Sequence, residues 1–380
     1  MTGRILVVSH PNVVTHNQLI YLRLTELGWE PKLIVPDRWK DLYSPQGFTP
    51  VPVAGLEQQF VRVRVVNAGR EQRHVYLTRP SSWLRRWRPD VVFLEQEPFS
   101  MPALQWGWAA ERLDIPWGVQ GDENLDRPFP WPARAIRRWA TPRAHFFAAR
   151  SPTAADMLTR WGARAPIGVV PHTIPEWPRG DRVATDPFTI GYVGRLVPAK
   201  GIDDLLAAAQ RLEFPFVLLV AGDGPLRERV QGADLGRGRL DLRTGIRSDE
   251  LPGVYRSMDV LVLPSRTTAT WAEQFGKVLC EALLCGTPVI GSSSGEIPWV
   301  IETTAGGLVY PEGDVGALAA VLADVHRDDR ARAELAAHGC EGVWAHFAPR
   351  VAARELDRLL RGALDETAIR PGERAGAGSR

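Results

Sequence analysis

The stretch FTIGYVGRLVPAKG, residues 188–201, decides the fold. Six apolar, aromatic and β-branched residues run into a glycine-bounded loop with one arginine and one lysine, and a helical pattern follows over residues 202–212. A short apolar strand that ends in a loop and a helix belongs to a parallel sheet covered on both faces. The same pattern recurs downstream at residues 216–224 (FVLLVAGDG), 240–245 (LDLRTG), 259–265 (DVLVLPS) and 287–293 (TPVIGSS). Just upstream, residues 175–187 (PEWPRGDRVATDP) are rich in proline and charge and read as a linker. Before the linker the alternation runs through residues 4–9, 31–36, 90–95, 116–120, 145–150 and 167–171.

The expected fold is therefore α/β, with two doubly wound Rossmann-like parallel-sheet domains facing a central cleft. Their expected bounds are 1–180 and 181–346. A helix over 347–362 returns to the N-terminal domain, and residues 363–380, small and polar, form a disordered tail. Ligands in such sheets bind beyond the carboxyl ends of the strands, so the chemistry belongs in the loops there.

Composition agrees with an ordinary globular chain: 380 residues, 44% hydrophobic and 24% charged. No apolar run reaches the ~18–20 residues that span a bilayer, and the N-terminus reads as a first strand rather than a leader. Cys280, Cys285 and Cys340 give neither a disulfide framework nor metal spacing and are expected as core thiols in a reduced, cytoplasmic protein. Charge is uneven. Residues 1–180 carry 23 Lys+Arg against 16 Asp+Glu, with basic, Trp-bearing segments at 81–90 and 131–146. Such a surface suits an anionic substrate or peripheral contact with the inner membrane face, or is simply solvated arginine. Only four lysines occur against 42 arginines, and two of them, Lys200 and Lys277, fall in the loops below. A lysine kept in such a background suits a site that needs a compact point charge.

The loop at 194–201 has Arg195 and Lys200 at its ends, with Gly194 and Gly201 admitting close backbone approach. Two cations beside a helix N-terminus suit an anion such as a diphosphate. In AGDGP, Gly222 and Gly224 flank Asp223, and Pro225 suits the first turn of the next helix. In ATWAEQFGKVLCEALLCG, residues 269–286, Glu273 precedes a helix predicted from Phe275 to Leu284, and Glu281 lies nearly two turns inside it. The first-turn amides near Phe275, Gly276, Lys277 and Val278 suit a phosphate, while the two carboxylates suit hydroxyl donors. Lys277 opposes the helix dipole unless an anion lies near. Residues 292–301 (SSSGEIPWVI) enter a further helix.

These ordered motifs resemble the retaining, nucleotide-sugar-dependent glycosyltransferases of family 4, which have the GT-B fold. Their E-x7-E signature reads Glu273–Glu281 here. The resemblance is close over residues 188–314 and looser in the front half, where FLEQEPFS and GDENLDRPFP match one bacterial subgroup. It implies that Arg195 and Lys200 hold the donor diphosphate, that Glu281 binds ribose and that Glu273 binds the transferred sugar. Backbone amides of Phe275 and Gly276 orient sugar and phosphate, and the base lies against the loops near Gly245, Ile246 and Arg247 and near Leu263–Ser265. No metal and no cofactor are implied, the nucleotide-sugar being a co-substrate.

Two departures stand out. The first loop, SHPNVVTHN, lacks the glycine pair of many members, and Gln120 stands where many have a histidine. Candidate acceptor-side residues are His10, Asn12, His16, Glu95, Glu97, Gln120 and His172; the two glutamates suit acceptor orientation or exposed strand ends. The expected partners are a UDP- or GDP-sugar and a hydroxyl acceptor, either lipid-linked saccharide or small molecule, with no nucleic acid. A nucleotide-sugar 2-epimerase-like isomerase and a non-catalytic nucleotide-sugar-binding subunit are the competing readings.

Overall fold

The computed structural model describes residues 3–40, 47–177, 183 and 185–369. The chain forms two compact units, residues 1–173 with 349–380, and residues 174–348.

Unit one begins with β1 (Gly3–Ser9), α1 (Leu19–Glu26), β2 (Trp29–Pro36), β3 (Phe60–Val63), β4 (Val65–Val66) and β5 (Val75–Tyr76). It continues with α2 (Pro80–Trp87), β6 (Val91–Glu95), α3 (Met101–Glu111), β7 (Trp117–Gly121), α4 (Trp131–Ala140), β8 (Phe146–Ala149), α5 (Pro152–Arg160) and β9 (Ile167–Val169). Seven parallel strands lie in the order β3-β2-β1-β6-β7-β8-β9, while β4 and β5 form a small antiparallel ribbon. Strand β1 shows why the sheet is covered twice. Ile5 and Val7 pack into one core with Ile20, Tyr21 and Leu24, whereas Leu6 and Val8 pack into another with Leu84, Ala103 and Trp106. Side chains alternate faces along a strand, so a run without polar interruption needs apolar cover on both sides.

Unit two comprises β10 (Phe188–Val193), α6 (Ile202–Ala209), β11 (Phe216–Ala221), α7 (Arg227–Gln231), β12 (Gly238–Arg243), α8 (Leu251–Arg256) and β13 (Val260–Leu263). Then come α9 (Lys277–Leu284), β14 (Val289–Ser292), α10 (Ile297–Thr304), β15 (Gly307–Tyr310), α11 (Val315–Arg327) and α12 (Asp329–His346). Six parallel strands lie in the order β12-β11-β10-β13-β14-β15. The order reverses direction about β10 and β13, whose loops therefore meet at the carboxyl edge. Gly201 fastens that junction. It sits at φ 66°, and a Cβ there would lie 1.7 Å from the Pro264 carbonyl oxygen after β13. A side chain at this position would push the two loops apart.

Several predicted boundaries move. Helix α9 starts at Lys277 rather than Phe275, because Gly276 caps it in the left-handed conformation (φ 75°) and ends helical geometry there. Pro225 lies in the turn two residues ahead of α7. The last helix, α13 (Pro349–Ile369), belongs to unit one and packs on α1, β8 and β9. It continues past 362 because Ala363 is buried in the same core as Leu356 and Leu360, with Leu364 packed beside them. Residues 370–380 of the predicted tail, and 178–182 and 184 of the linker, lie outside the described residues. Cys280 and Cys285 are buried, with burial pushing the Cys285 thiol up to about 12, while Cys340 is only half-buried. Among the described residues, no helix is long and apolar enough to cross a membrane.

Candidate functional site

In unit two the loops after β10, β13 and β14 interlock. Lys200 Nζ lies 2.5 Å from Glu273 Oε2, and Ser265 Oγ donates to the same oxygen at 2.7 Å. The ammonium also sits 4.7 Å from the Trp271 ring centroid, a cation–π distance. Around this cluster Arg266 N–H donates to Ala199 O at 2.8 Å, and the Arg266 guanidinium grips Asp204 at 2.6 and 2.5 Å. Ser292 Oγ donates to Ser265 O at 2.5 Å, and Glu296 N–H donates to Glu273 O at 2.9 Å. The Glu273 carboxylate is thus held by the loops after β10 and β13, and its main chain by the loop after β14. It does not meet only hydroxyl partners: one of its oxygens is paired with Lys200, a contact no spacing rule shows.

Arg195 follows β10 in the same edge, its carbonyl accepting from Tyr192 Oη at 2.7 Å. Its side chain is half-buried, and among the described residues no carboxylate pairs with its guanidinium. Gly222 and Gly224 occupy the turn after β11, and a Cβ on Gly222 would lie 1.9 Å from Gly194 O. Glu281 projects from α9 onto Tyr255, whose Oη donates to Oε2 at 2.6 Å. Burial raises the Glu281 carboxyl above its usual range, while the Tyr255 hydrogen bond and the Lys277 charge pull it back. The Phe275 ring is buried among Trp299 and Phe347. In the loop after β12, Gly245 is exposed, Ile246 leans on the core and the exposed Arg247 pairs with Asp249 at 2.5 Å.

In unit one the carboxyl edge holds a second cluster. Glu95 ends β6 and is 2% exposed, not an exposed strand end. Arg150, just past β8, donates to Glu95 Oε1 and, at 2.7 Å, to Gln120 Oε1. Asn12 and Tyr21 donate to Glu95 Oε2 at 2.9 and 2.7 Å. Gln120 therefore spends its carbonyl on Arg150. Glu97 is also buried; its Oε1 accepts from Asp122 N–H at 2.7 Å. His172 Nε2 lies 3.1 Å from Asp122 Oδ1, and His10 Nδ1 lies 3.0 Å from Gln96 Oε1. Burial holds the His10 imidazole below its ordinary value. His16 is half-buried in the turn of residues 15–18. Sequence reasoning missed Arg150, Tyr21, Asp122, Trp271 and Tyr255, and placed Ser265 at the base rather than on Glu273. The first was visible as a lone charge closing the apolar run HFFAAR; the others needed the fold. Among the described residues, no group of three or more His, Cys, Asp or Glu is placed to hold a metal ion.

Burial, with Asp122 adding to it, raises the Glu97 carboxyl well above the ordinary carboxylate range. A folded-state pKa above the unfolded one means this contribution is complete below about pH 4.3 and is lost as pH climbs through the folded value. Denaturation midpoints of Glu97→Gln should therefore fall less than those of the parent as pH rises from 4 to 8. Parallel midpoint curves would contradict this.

Two Rossmann-like parallel-sheet units, with charged side chains gathered at their carboxyl edges, give an α/β protein of the GT-B type. A glycosyl transferase 4-like domain model matches residues 13–173, and a glycosyl transferases group 1 model matches residues 173–341. The chain belongs to the GT-B glycosyltransferases. It is 28% identical over 338 residues to 2-deoxystreptamine N-acetyl-D-glucosaminyltransferase of Streptomyces fradiae, covering 77% of this chain and 79% of that one. It is 31% identical over 174 residues to D-inositol 3-phosphate glycosyltransferase of Mycolicibacterium smegmatis, covering 43% of this chain but only 38% of the relative. The solved structure of sucrose-phosphate synthase from Thermosynechococcus elongatus superposes with a TM-score of 0.68 at 19% identity, over 96% of this chain and 100% of that one. HepE from Anabaena in complex with UDP gives 0.69 at 16% identity, over 94% and 99%.

Proposed function

We propose that the chain transfers a sugar from a nucleoside-diphosphate sugar, UDP-linked, to a hydroxyl of a small polyol, with retention at the anomeric carbon and without a metal. The observation that carries this reading is the convergence of Lys200, Ser265 and Glu273 where the β10 and β13 loops meet, with Arg195 at the start of the same β10 loop. Arg195 and Lys200 take the diphosphate, and Glu273 takes hydroxyls of the sugar. The bond from the anomeric carbon to the phosphate oxygen breaks, and the bond to the acceptor oxygen forms. The acceptor's proton passes to the departing phosphate on the same face. Fixed cations aimed at the developing charge need no reorganisation as the bond breaks. Glu281, set by Tyr255, takes ribose hydroxyls. UDP is supported by the complex solved for HepE. A cyclitol acceptor is supported by the names of the Streptomyces fradiae and Mycolicibacterium smegmatis relatives, over the lipid-linked acceptor that the basic front half also suits.

The test is nucleoside diphosphate release from UDP-, GDP- and ADP-sugars with and without a cyclitol, alongside thermal shifts with each nucleotide. UDP should raise Tm most, release should require acceptor, and NMR of the product should show the donor's anomeric configuration. Release that ignores acceptor, or inversion in the product, would sink the proposal. Glu281→Ala should raise the donor KM about tenfold or more with a smaller change in kcat, since it removes a ground-state contact to ribose. Unchanged kinetics in a folded variant would remove Glu281 from the donor site.

A further inference from the structure

The front half of the chain is basic, with 23 Lys+Arg against 16 Asp+Glu in residues 1–180, yet its ligand-binding edge is acidic. Glu95, Glu97, Asp122 and Glu123 all follow or close β6 and β7, neighbouring strands of the sheet. Two of the four are matched by guanidinium groups: Glu95 by Arg150 and Glu123 by Arg127, the latter at 3.0 and 2.6 Å. Glu97 has no such partner. Its carboxyl takes backbone N–H groups of Asp122, at 2.7 Å to Oε1, and of Glu123, and among the described residues its Oε2 is buried with no hydrogen-bond partner, on a residue only 7% exposed. Asn12 Oδ1, fully buried at the same edge, is a second unpartnered acceptor. Asp122 beside them is more open, its side chain 19% exposed and paired to His172.

We infer that Glu97 and Asp122 read an ammonium group, so that the acceptor is an amino-bearing polyol rather than a phosphorylated or wholly neutral one. The inference rests on the transferase reading above and specifies its acceptor class. An ammonium group brings three donors and no acceptor, and its charge favours the ionised form of Glu97 that burial disfavours, so that it complements the carboxylate it creates. A phosphate ester placed there would meet two acids, while the guanidinium groups described at this edge, Arg150 and Arg127, are already bound to Glu95 and Glu123. Leaving a buried acceptor unmatched is costly, and a cation drawn in beside Glu97 supplies the opposite charge that the chain withholds. Burial disfavours a competing positive charge on His10 at the same edge.

The unmodified enzyme decides between acceptor classes. With one UDP-sugar, three acceptors are compared: 2-deoxystreptamine, its di-N-acetyl derivative and D-inositol 3-phosphate. Charge-assisted hydrogen bonds of this kind predict a loss of about 10- to 100-fold in kcat/KM on N-acetylation, and a loss at least as large for the phosphate ester. Asp122→Asn and Glu97→Gln should each raise the KM for the amine about tenfold, while the donor KM and the UDP-induced Tm shift stay as in the parent. A purely structural role for Glu97, anchoring residue 122, would instead lower Tm and kcat for every acceptor alike. Equal or better turnover of the N-acetylated or phosphorylated compound would overturn the inference, as would an unchanged amine KM in folded variants. Should UDP raise Tm but none of the three be glycosylated, the ammonium assignment falls and the donor reading stands. Should UDP fail to bind, both fall.

Discussion

Arg150→Met should lower the free energy of unfolding by about 3–5 kcal/mol, the largest stability effect we expect from a single substitution in unit one. The side chains of Arg150 and Glu95 are 5% and 3% exposed, so the pair is screened from water on every side. Removing the guanidinium leaves the Glu95 carboxylate with Asn12 and Tyr21 as donors but without its counter-charge. It also strips Gln120 Oε1 and the carbonyls of Val170 and Pro171 of a shared donor. Arg150 thus ties the ends of β6 and β7 to the segment after β9. Urea denaturation measures the loss. The control is the double variant Arg150→Met with Glu95→Gln, which removes the stranded charge and should recover part of the loss. If Arg150→Met alone costs under about 1 kcal/mol, the pair does not organise this edge.

Arg195→Ala should reduce kcat by about 100- to 1000-fold, the range for losing one preorganised group that stabilises developing charge. It should do so without touching stability by more than about 0.5 kcal/mol, because no carboxylate among the described residues depends on it. Lys200→Ala is a different experiment. Glu273 is 6% exposed and receives the Lys200 ammonium at 2.5 Å, so removing the lysine takes away the counter-charge of a buried carboxylate. Both Tm and kcat should fall. Steady-state kinetics paired with thermal denaturation of the two variants separates them. Equal kcat for Arg195→Ala and parent would remove the arginine from the leaving-group site.

The strand-loop-helix alternation was legible because a strand buried on both faces permits no polar interruption, and that constraint is local. Thus FTIGYV and VVFLE are strands as read. The small β3, β4 and β5 were not read, since Phe60–Val63 carries Arg62 and only one of its four residues is buried. The ends of α9 and α13 moved for physical reasons visible only in space. A left-handed glycine stopped the first, and apolar contacts with α1 extended the second. At the candidate site the identities of Arg195, Lys200, Glu273 and Glu281 were legible from their spacing. The pairing of Lys200 with Glu273 was not, because 73 residues separate them.

By itself the sequence determined the two parallel sheets, the glycine-lined loops at their edges and the choice of charged residues in those loops, since each follows from patterns shorter than one strand and helix. Only the tertiary structure decided which charges neutralise one another. Arg150 takes Glu95, Arg127 takes Glu123 and Lys200 takes Glu273, while among the described residues no cationic side chain pairs with Glu97. Distance and burial set the energy of a charge, and for Arg150 with Glu95 and for Lys200 with Glu273 both are properties of strands brought side by side from far apart in the chain.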